Sequence, residues 1–346
     1  MKRRKVFNLV LFNKKLMKEA LYWKKFDDKI KCELCPKFCV VEDNEIGNCG
    51  VRKNIKGKLY SLVYGKPASV AIDAIEKKPL YHFLPGSLTY SIGTVGCNLH
   101  CSYCQNWEIS QAKFENVRHT DLIPEKVVEN AILNNCKSIA YTYSEPIIFL
   151  EYVLDTAKIA KKNGLRNVIV SNGFINEEPL KELCKVIDAA NIDLKGFSDG
   201  FYRKYTNSWL DPVLNSLKIL KNKKVWLEIT NLVIPGKNDN IKEVEEMCKW
   251  IKEELGEVPL HFSKFYPWYR MGNEKETPLE TLERNYKIGK EYLKYVYIGN
   301  VITDKENTYC GGCGKLLIKR KGFDVVENNI KRGRCVCEEK IIGVWE

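Results

Sequence analysis

From Leu88 to Ile298 short apolar, β-branched or aromatic runs alternate with longer amphipathic stretches, and this alternation limits the fold more than any other feature of the chain. The pattern predicts strands at Leu88–Thr94, Ser138–Tyr143, Asn167–Ser171, Ala190–Leu194, Val225–Val233, Leu260–Phe265 and Tyr295–Ile298. Between them it predicts helices at Pro124–Asn135, Ile147–Asn163, Glu177–Asp188, Asp211–Lys221, Asp239–Leu255 and Thr277–Leu293. Gly164 and Gly256 sit where a left-handed residue stops a helix. Asp211-Pro212 reads as a capping side chain before a first-turn proline, and Thr277-Pro-Leu-Glu280 as a capping box. Strand–helix alternation at this spacing implies an α/β fold with parallel strands and right-handed crossovers. Six such units are too few to close an eight-fold barrel.

Directly behind the first strand stands Cys97-Asn-Leu-His-Cys101-Ser-Tyr-Cys104. A structural zinc site wants four closed ligands. Three thiols with a long first gap and a short second one suit three irons of a 4Fe–4S cubane, with the fourth iron left without a protein ligand. An open metal position is where a substrate or cofactor binds. The alternatives are three unrelated thiols sharing a loop, or a zinc knuckle completed from elsewhere. In barrels of parallel strands the chemistry lies at the C-terminal strand ends, which is where this loop falls.

The remaining cysteines of the 14 form two further sets and three singles. Residues 1–84 read as an N-terminal module, with a helix expected over Lys14–Asp28 from the imperfect stripe Leu16, Ala20, Leu21 and Trp23. It contains Cys32-Glu-Leu-Cys35-Pro-Lys-Phe-Cys39 and Gly47-Asn-Cys49, four thiols that suit zinc or a second cluster. Residues 85–305 hold the alternating core. Residues 306–346 break the alternation. There Cys310-Gly-Gly-Cys313 and Cys335-Val-Cys337 flank an apparent hairpin in the manner of a zinc ribbon, although the second pair is closer than a CxxC and strains the site or leaves one thiol out. Cys136, Cys184 and Cys248 read as inert buried thiols.

The spacing of Cys97, Cys101 and Cys104 resembles the CxxxCxxC hallmark of the radical S-adenosylmethionine (SAM) superfamily. That resemblance implies a partial (βα)6 TIM-type barrel whose open iron chelates the amino and carboxylate groups of SAM. It also implies that one electron from the reduced cluster cleaves the sulfonium to methionine and a 5′-deoxyadenosyl radical. Tyr141-Thr-Tyr-Ser-Glu145-Pro146 resembles the GGEP segment of these enzymes, with Tyr143 and Ser144 in place of both glycines. The likeness assigns Glu145 to the SAM ammonium, the reading preferred here, while the residues alone also allow a helix-start charge facing the macrodipole. Ser171-Asn172-Gly173 and Asn191-Ile-Asp193-Leu-Lys195-Gly196 look like the ribose- and carboxylate-contacting segments of the branch that includes pyruvate formate-lyase activating enzyme. By that likeness Asn172 and Asp193 hold ribose hydroxyls and Lys195 reaches the methionyl carboxylate; turn chemistry is the plainer reading of a polar strand end. The same branch implies a place near SAM for His261 and an adenine-side backbone for Tyr103, with Leu232-Val-Ile-Pro-Gly236 in support. Pro79-Leu-Tyr-His-Phe-Leu-Pro-Gly86, Cys104-Gln-Asn-Trp107, Phe265-Tyr-Pro-Trp and the final thiol pairs match the AmmeMemoRadiSam system radical SAM enzymes across nearly the whole chain.

The net charge of +12 invites a nucleic-acid partner, but lysines interleave with glutamates along the expected helices and no basic run carries spaced aromatics. Solvated helical faces account for the charge, and nucleic acid is not expected as a partner. No apolar run approaches the roughly 18–20 residues of a membrane span, and the patch Val6–Phe12 is too short for a secretory signal, so a cytoplasmic protein without a membrane partner is expected. The expected function is a radical SAM enzyme of oxidoreductase type, supplied by a ferredoxin- or flavodoxin-type one-electron reductant. Its substrate is unidentified, and a partner protein activated in the glycyl-radical manner is one outcome. The rival classes are an iron–sulfur electron-transfer or binding protein that never cleaves SAM, and an RNA-modifying member of the superfamily.

Overall fold

All seven predicted core strands form, and they line up in chain order. In the computed structural model, which describes residues 17–346, they run Leu88–Gly93, Ser138–Tyr141, Arg166–Ser171, Ala189–Asp193, Trp226–Val233, Leu260–Lys264 and Val296–Gly299. An eighth strand, Ser69–Ala74, precedes them, and we number the eight β1 to β8 in chain order. Each strand pairs only with its sequence neighbours; β2 to β8 are parallel, and β1 lies antiparallel on β2. The first and last strands remain apart, so the sheet is open.

Strand residues alternate between two burials, as a curved sheet covered on both faces requires. Outward residues such as Ile92, Ile139, Tyr141, Ile169, Ile229 and Phe262 join the large core beneath the helices. Inward residues Ala140, Val168 and Ala189 meet Ile75, Leu80 and Phe83 instead. The segment 75–86 therefore plugs the barrel at the end away from the cysteine loop. Glu228, wholly buried on β6, anchors that plug with all four acceptor positions: it takes the backbone N–H groups of Tyr81 (3.0 Å) and His82 (2.8 Å), the Trp226 indole (3.0 Å) and His261 Nε2 (2.7 Å). Burial opposes its charge, yet these donors and the neighbouring imidazoles hold its pKa below the usual carboxylate value.

The connecting helices are α1 (Pro124–Leu133), α2 (Leu150–Lys162), α3 (Glu177–Leu183), α4 (Asp199–Thr206), α5 (Asp211–Asn222), α6 (Ile241–Trp250) and α7 (Leu279–Tyr292). Gly164 and Gly256 adopt φ of +75° and +71° just past α2 and past the π-turn that ends α6, as expected. The two capping expectations fail. Asp211 is already inside α5, with Leu210 as cap and no side-chain cap bond. Thr277 stands two residues before α7 and spends its hydroxyl on the Phe265 N–H (2.9 Å) and the Val233 carbonyl (2.6 Å), tying the exits of β7 and β6 together.

The N-terminal expectation also needs correction. Lys14–Leu16 lie outside the described residues, as does the patch Val6–Phe12. The rest of the expected helix is extended: Lys18–Glu19 pairs with Lys58–Ser61, and Trp23–Phe26 forms a hairpin with Lys29–Cys32. Asp27, at φ +53°, makes the turn. The signal was the Asp-Asp pair between two short runs, a turn dipeptide that outweighs a weak helical stripe. Strand β1 also lay within the expected module 1–84, but its pairing makes it part of the barrel sheet. At the other end, Leu316–Lys321 and Asp324–Asn328 form the expected hairpin, joined by Thr308–Tyr309. Among the described residues no helix is long and apolar enough to cross a membrane.

Candidate active site

The loop that carries Cys97, Cys101 and Cys104 leaves β2 at Gly93 and is held by backbone bonds from several directions. His100 N–H and Ser102 N–H donate to the carbonyls of Thr206 and Tyr205 at the end of α4 (both 2.9 Å), and the Ser102 carbonyl accepts from Arg270 N–H (3.0 Å). Asn98 is wholly buried; its amide donates to the Phe174 carbonyl (2.8 Å) and accepts from Asn172 Nδ2 (2.9 Å). The α4 helix that pins this loop was missed in the sequence, because eight residues are too few to display a period.

Two of the three sulfurs face weak donors. Leu99 N–H points at Cys97 Sγ (3.4 Å), Asn172 Nδ2 lies 3.8 Å from the same sulfur, and Ser110 Oγ sits 3.1 Å from Cys104 Sγ. Burial raises the pKa of Cys97 well above its ordinary value and pushes Cys101 up to about 11, with Lys195 working the other way on Cys101. Buried thiols of this kind become thiolates on a metal, which supplies the missing positive charge. Burial also raises the pKa of Tyr103, whose hydroxyl is buried near Cys101 with no hydrogen-bond partner; its ring lies 6.1 Å from that of Phe201.

The strand ends around this loop bring the sequence candidates together. Asp193 ends β5, and Lys195 Nζ reaches its carboxylate at 2.9 Å. Burial opposes the Lys195 charge, but Asp193 and the Cys101 thiol hold its pKa well above the ordinary value. Asn172 follows β4 and contacts both Cys97 and Asn98. Glu145 is turned further inward than expected. Only 2% exposed, it accepts from Ser171 Oγ (2.7 Å), Ile147 N–H (3.1 Å) and Asn172 N–H (2.8 Å). It thereby caps the turn Pro146–Phe149 and locks the exits of β3 and β4 together. Burial raises its pKa to about 7.

Register places Asp193, Thr230, His261 and Tyr297 in one row across β5 to β8. His261 is therefore level with Asp193 but commits its Nε2 to Glu228 below. Inward-facing Ser91 Oγ, Asn191 Oδ1 and Thr230 Oγ1 are buried without a hydrogen-bond partner among the protein atoms. An apolar core would not tolerate three such groups, whereas a polar ligand inside the barrel would satisfy them. The donor set and these orphaned atoms fit an iron–sulfur cluster at the thiols and a polar cofactor beside it. Asn98, Ser110 and Glu228 were not singled out from the sequence. Glu228 had left a signal, as the one charge inside the strand Trp226–Val233.

The two terminal cysteine sets differ in spread. The sulfurs of Cys310, Cys313, Cys335 and Cys337 all lie within 4.8 Å of one another, with Cys310–Cys337 and Cys313–Cys335 each at 3.6 Å. No thiol is left out despite the short second pair, and this tetrad can hold a metal. Cys32, Cys35, Cys39 and Cys49 instead line one common cavity. Of the three single cysteines, Cys136 and Cys248 are buried and Cys184 is half-buried; burial raises the pKa of each, to about 11 for Cys184 and about 12 for Cys248.

Comparison with known proteins follows the same lines. The family model for the radical SAM superfamily matches residues 91–251. The uncharacterized protein MJ0808 of Methanocaldococcus jannaschii is 46% identical over 333 residues, 94% of this chain and 99% of that protein. The pyruvate formate-lyase 1-activating enzyme of Escherichia coli K12 is 27% identical over 214 residues, 57% of this chain and 86% of that enzyme. Among solved structures, Streptococcus suis SuiB bound to S-adenosylmethionine aligns with a TM-score of 0.49 at 13% identity, over 65% of this chain and 53% of that one.

Proposed function

Because this chain belongs to the radical SAM superfamily, we propose that Cys97, Cys101 and Cys104 hold a 4Fe–4S cluster whose remaining iron binds SAM, and that the chain is an enzyme acting on a substrate at the barrel mouth. Bound together, cluster and SAM supply one-electron cleavage of the sulfonium and a 5′-deoxyadenosyl radical. The observation that carries this reading is the convergence of three thiols with Asn172, Asp193 and Lys195 at the C-terminal ends of β2, β4 and β5.

The chain's own residues bind, orient and exclude water. Lys195 offers a half-buried ammonium, held charged by Asp193, for the methionyl carboxylate, and Asp193 shares it while offering its own oxygens to ribose hydroxyls. Asn172 holds the ribose side through the amide that also braces Cys97. Glu145 has used three of its roughly four acceptor sites. It contributes the last to the SAM ammonium and, more importantly, fixes Asn172. The backbone beside Tyr103 flanks adenine, and His261 supports the pocket floor from the row of Asp193. The Cys310 tetrad is a zinc site with a structural role: Zn–S bonds of about 2.3 Å give a tetrahedral edge of about 3.8 Å, close to the 3.6 Å sulfur separations.

SAM, a ferredoxin- or flavodoxin-type reductant and a protein substrate, activated in the manner of the similar activating enzyme, are the partners, in the cytoplasm. The test is anaerobic reconstitution, reduction with dithionite and quantification of 5′-deoxyadenosine from added SAM. The full chain should release it, and Cys97→Ala, Cys101→Ala and Cys104→Ala should each reduce it to background. A fully loaded wild-type protein that releases none is an electron carrier or binding protein instead.

A further inference from the structure

The four N-terminal thiols come from three separate stretches yet share one cavity. Cys32 ends a strand, Cys35 and Cys39 flank the turn that leads out of it, and Cys49 lies in the turn Gly47–Gly50. None forms a disulfide. Cys32 N–H bonds the Cys39 carbonyl (2.9 Å), so the loop closes on itself, and Asn48 N–H points at Cys39 Sγ (3.4 Å). Arg52 lines the same cavity at 1% exposure. Its two terminal nitrogens are spent on Glu151 (3.0 and 3.2 Å) and on the Leu21 carbonyl, while its Nε–H has no partner. The Arg52 charge is balanced by Glu151, and its free Nε–H leaves one buried donor beside four thiols for a polar or anionic centre.

The contrast with the compact C-terminal tetrad favours one kind of centre. In this chain a single-ion site looks like the C-terminal tetrad, and among the described residues no other group of three or more candidate ligands is as compact. Thiolates on a cubane stand on different irons and so lie farther apart than ligands of one ion.

The neighbourhood then indicates its use. Asn98, adjacent to Cys97, forms part of the wall of this cavity. Gly96, at φ +97°, packs so tightly on the Cys49 loop that an added Cβ would stand 2.5 Å from the Cys49 carbonyl oxygen. His100 Nε2 lies 3.1 Å from Asn48 Oδ1. The two cysteine loops thus touch at two points and share one cavity wall.

We propose that Cys32, Cys35, Cys39 and Cys49 hold a second 4Fe–4S cluster, closed by four thiolates, that passes single electrons to the cluster at Cys97, Cys101 and Cys104. A soluble low-potential one-electron carrier is oxidised by one electron, the N-terminal cluster gains and then loses it, and the open cluster is reduced by one; no bond is made or broken in the relay. The site stands on its own geometry, and only its role rests on the function proposed above.

The experiment is metal and sulfide counting with EPR on anaerobically reconstituted full chains. The wild type should carry about eight irons and eight sulfides. The triple variant C97A/C101A/C104A should keep half of each, with a reduced-cluster signal that SAM does not alter, and adding C35A/C49A should remove that signal. An iron-free triple variant, or wild-type protein with half the iron and a second zinc, overturns the proposal. Should the triple variant not fold, the wild-type count decides. A triple variant that keeps its cluster while the wild type leaves SAM intact would sink the function proposed above but not this site.

Discussion

At Lys195 two demands meet in one side chain: it balances Asp193 at 2.9 Å and lies close enough to Cys101 to influence that thiol. If it also binds the SAM carboxylate, Lys195→Met should raise the KM for SAM roughly ten- to hundredfold, the equivalent of the about 1.5–3 kcal/mol of a charge-assisted hydrogen bond. A variant with unchanged KM and reduced cluster content would confine Lys195 to bracing Asp193 and Cys101. Residues of this kind were only partly legible. The three cluster thiols declare themselves because their spacing is local. Asn98 and Ser110 do not, because their partners at Phe174, Asn172 and Cys104 are set by the loop's path in space. Glu145 was found, but its inward turn was not foreseeable, since Ser171 and Asn172 come from the next strand.

Whole elements followed the same division. Helices and parallel strands in regular alternation were readable, whereas β1 stands before that alternation begins, the eight-residue α4 was too short to display a period, and the N-terminal hairpins overrode a weak helical stripe. The plug 75–86 is an element whose behaviour can be predicted from its charges. His82 is wholly buried, donates Nδ1–H to the Ile342 carbonyl (2.7 Å) and accepts at Nε2 from the Tyr297 hydroxyl, so it joins the barrel floor to the C-terminal segment as a neutral ring. Burial lowers its pKa from 6.5 to about 4. Between those values the unfolded chain takes up a proton that the folded chain refuses, so stability is complete above pH 6.5 and is lost as the pH falls toward 4, by roughly 3 kcal/mol in all. Glu76, its pKa raised by burial from 4.5 to about 7, has the opposite slope, stability falling as the pH rises through that range. The comparison that isolates His82 is therefore His82→Gln. Its Tm should lie below that of the wild type at pH 7, with a smaller further loss on acidification. Parallel Tm curves for the two proteins would show that His82 does not titrate in the folded chain as described.

Across the whole molecule the two cysteine-bearing appendages attach at opposite ends of one barrel. The N-terminal segment meets the mouth, through Gly96, His100 and the buried bidentate pair of Arg52 with Glu151 on α2. The C-terminal segment meets the floor, where the Arg320 guanidinium lies 4.1 Å from the Tyr81 ring centroid and His82 reaches Ile342. The proposed redox centres are thereby gathered at the end where the parallel strands finish, and the compact thiol tetrad belongs to the closed end. The proposed function rests on one iron held by the Cys97 loop being open to SAM, and EPR of the dithionite-reduced full chain, recorded with and without SAM, addresses that directly. The signal that disappears in C97A/C101A/C104A should change shape and position when SAM is added. The same signal, unmoved by saturating SAM in protein of full iron content, would contradict the account.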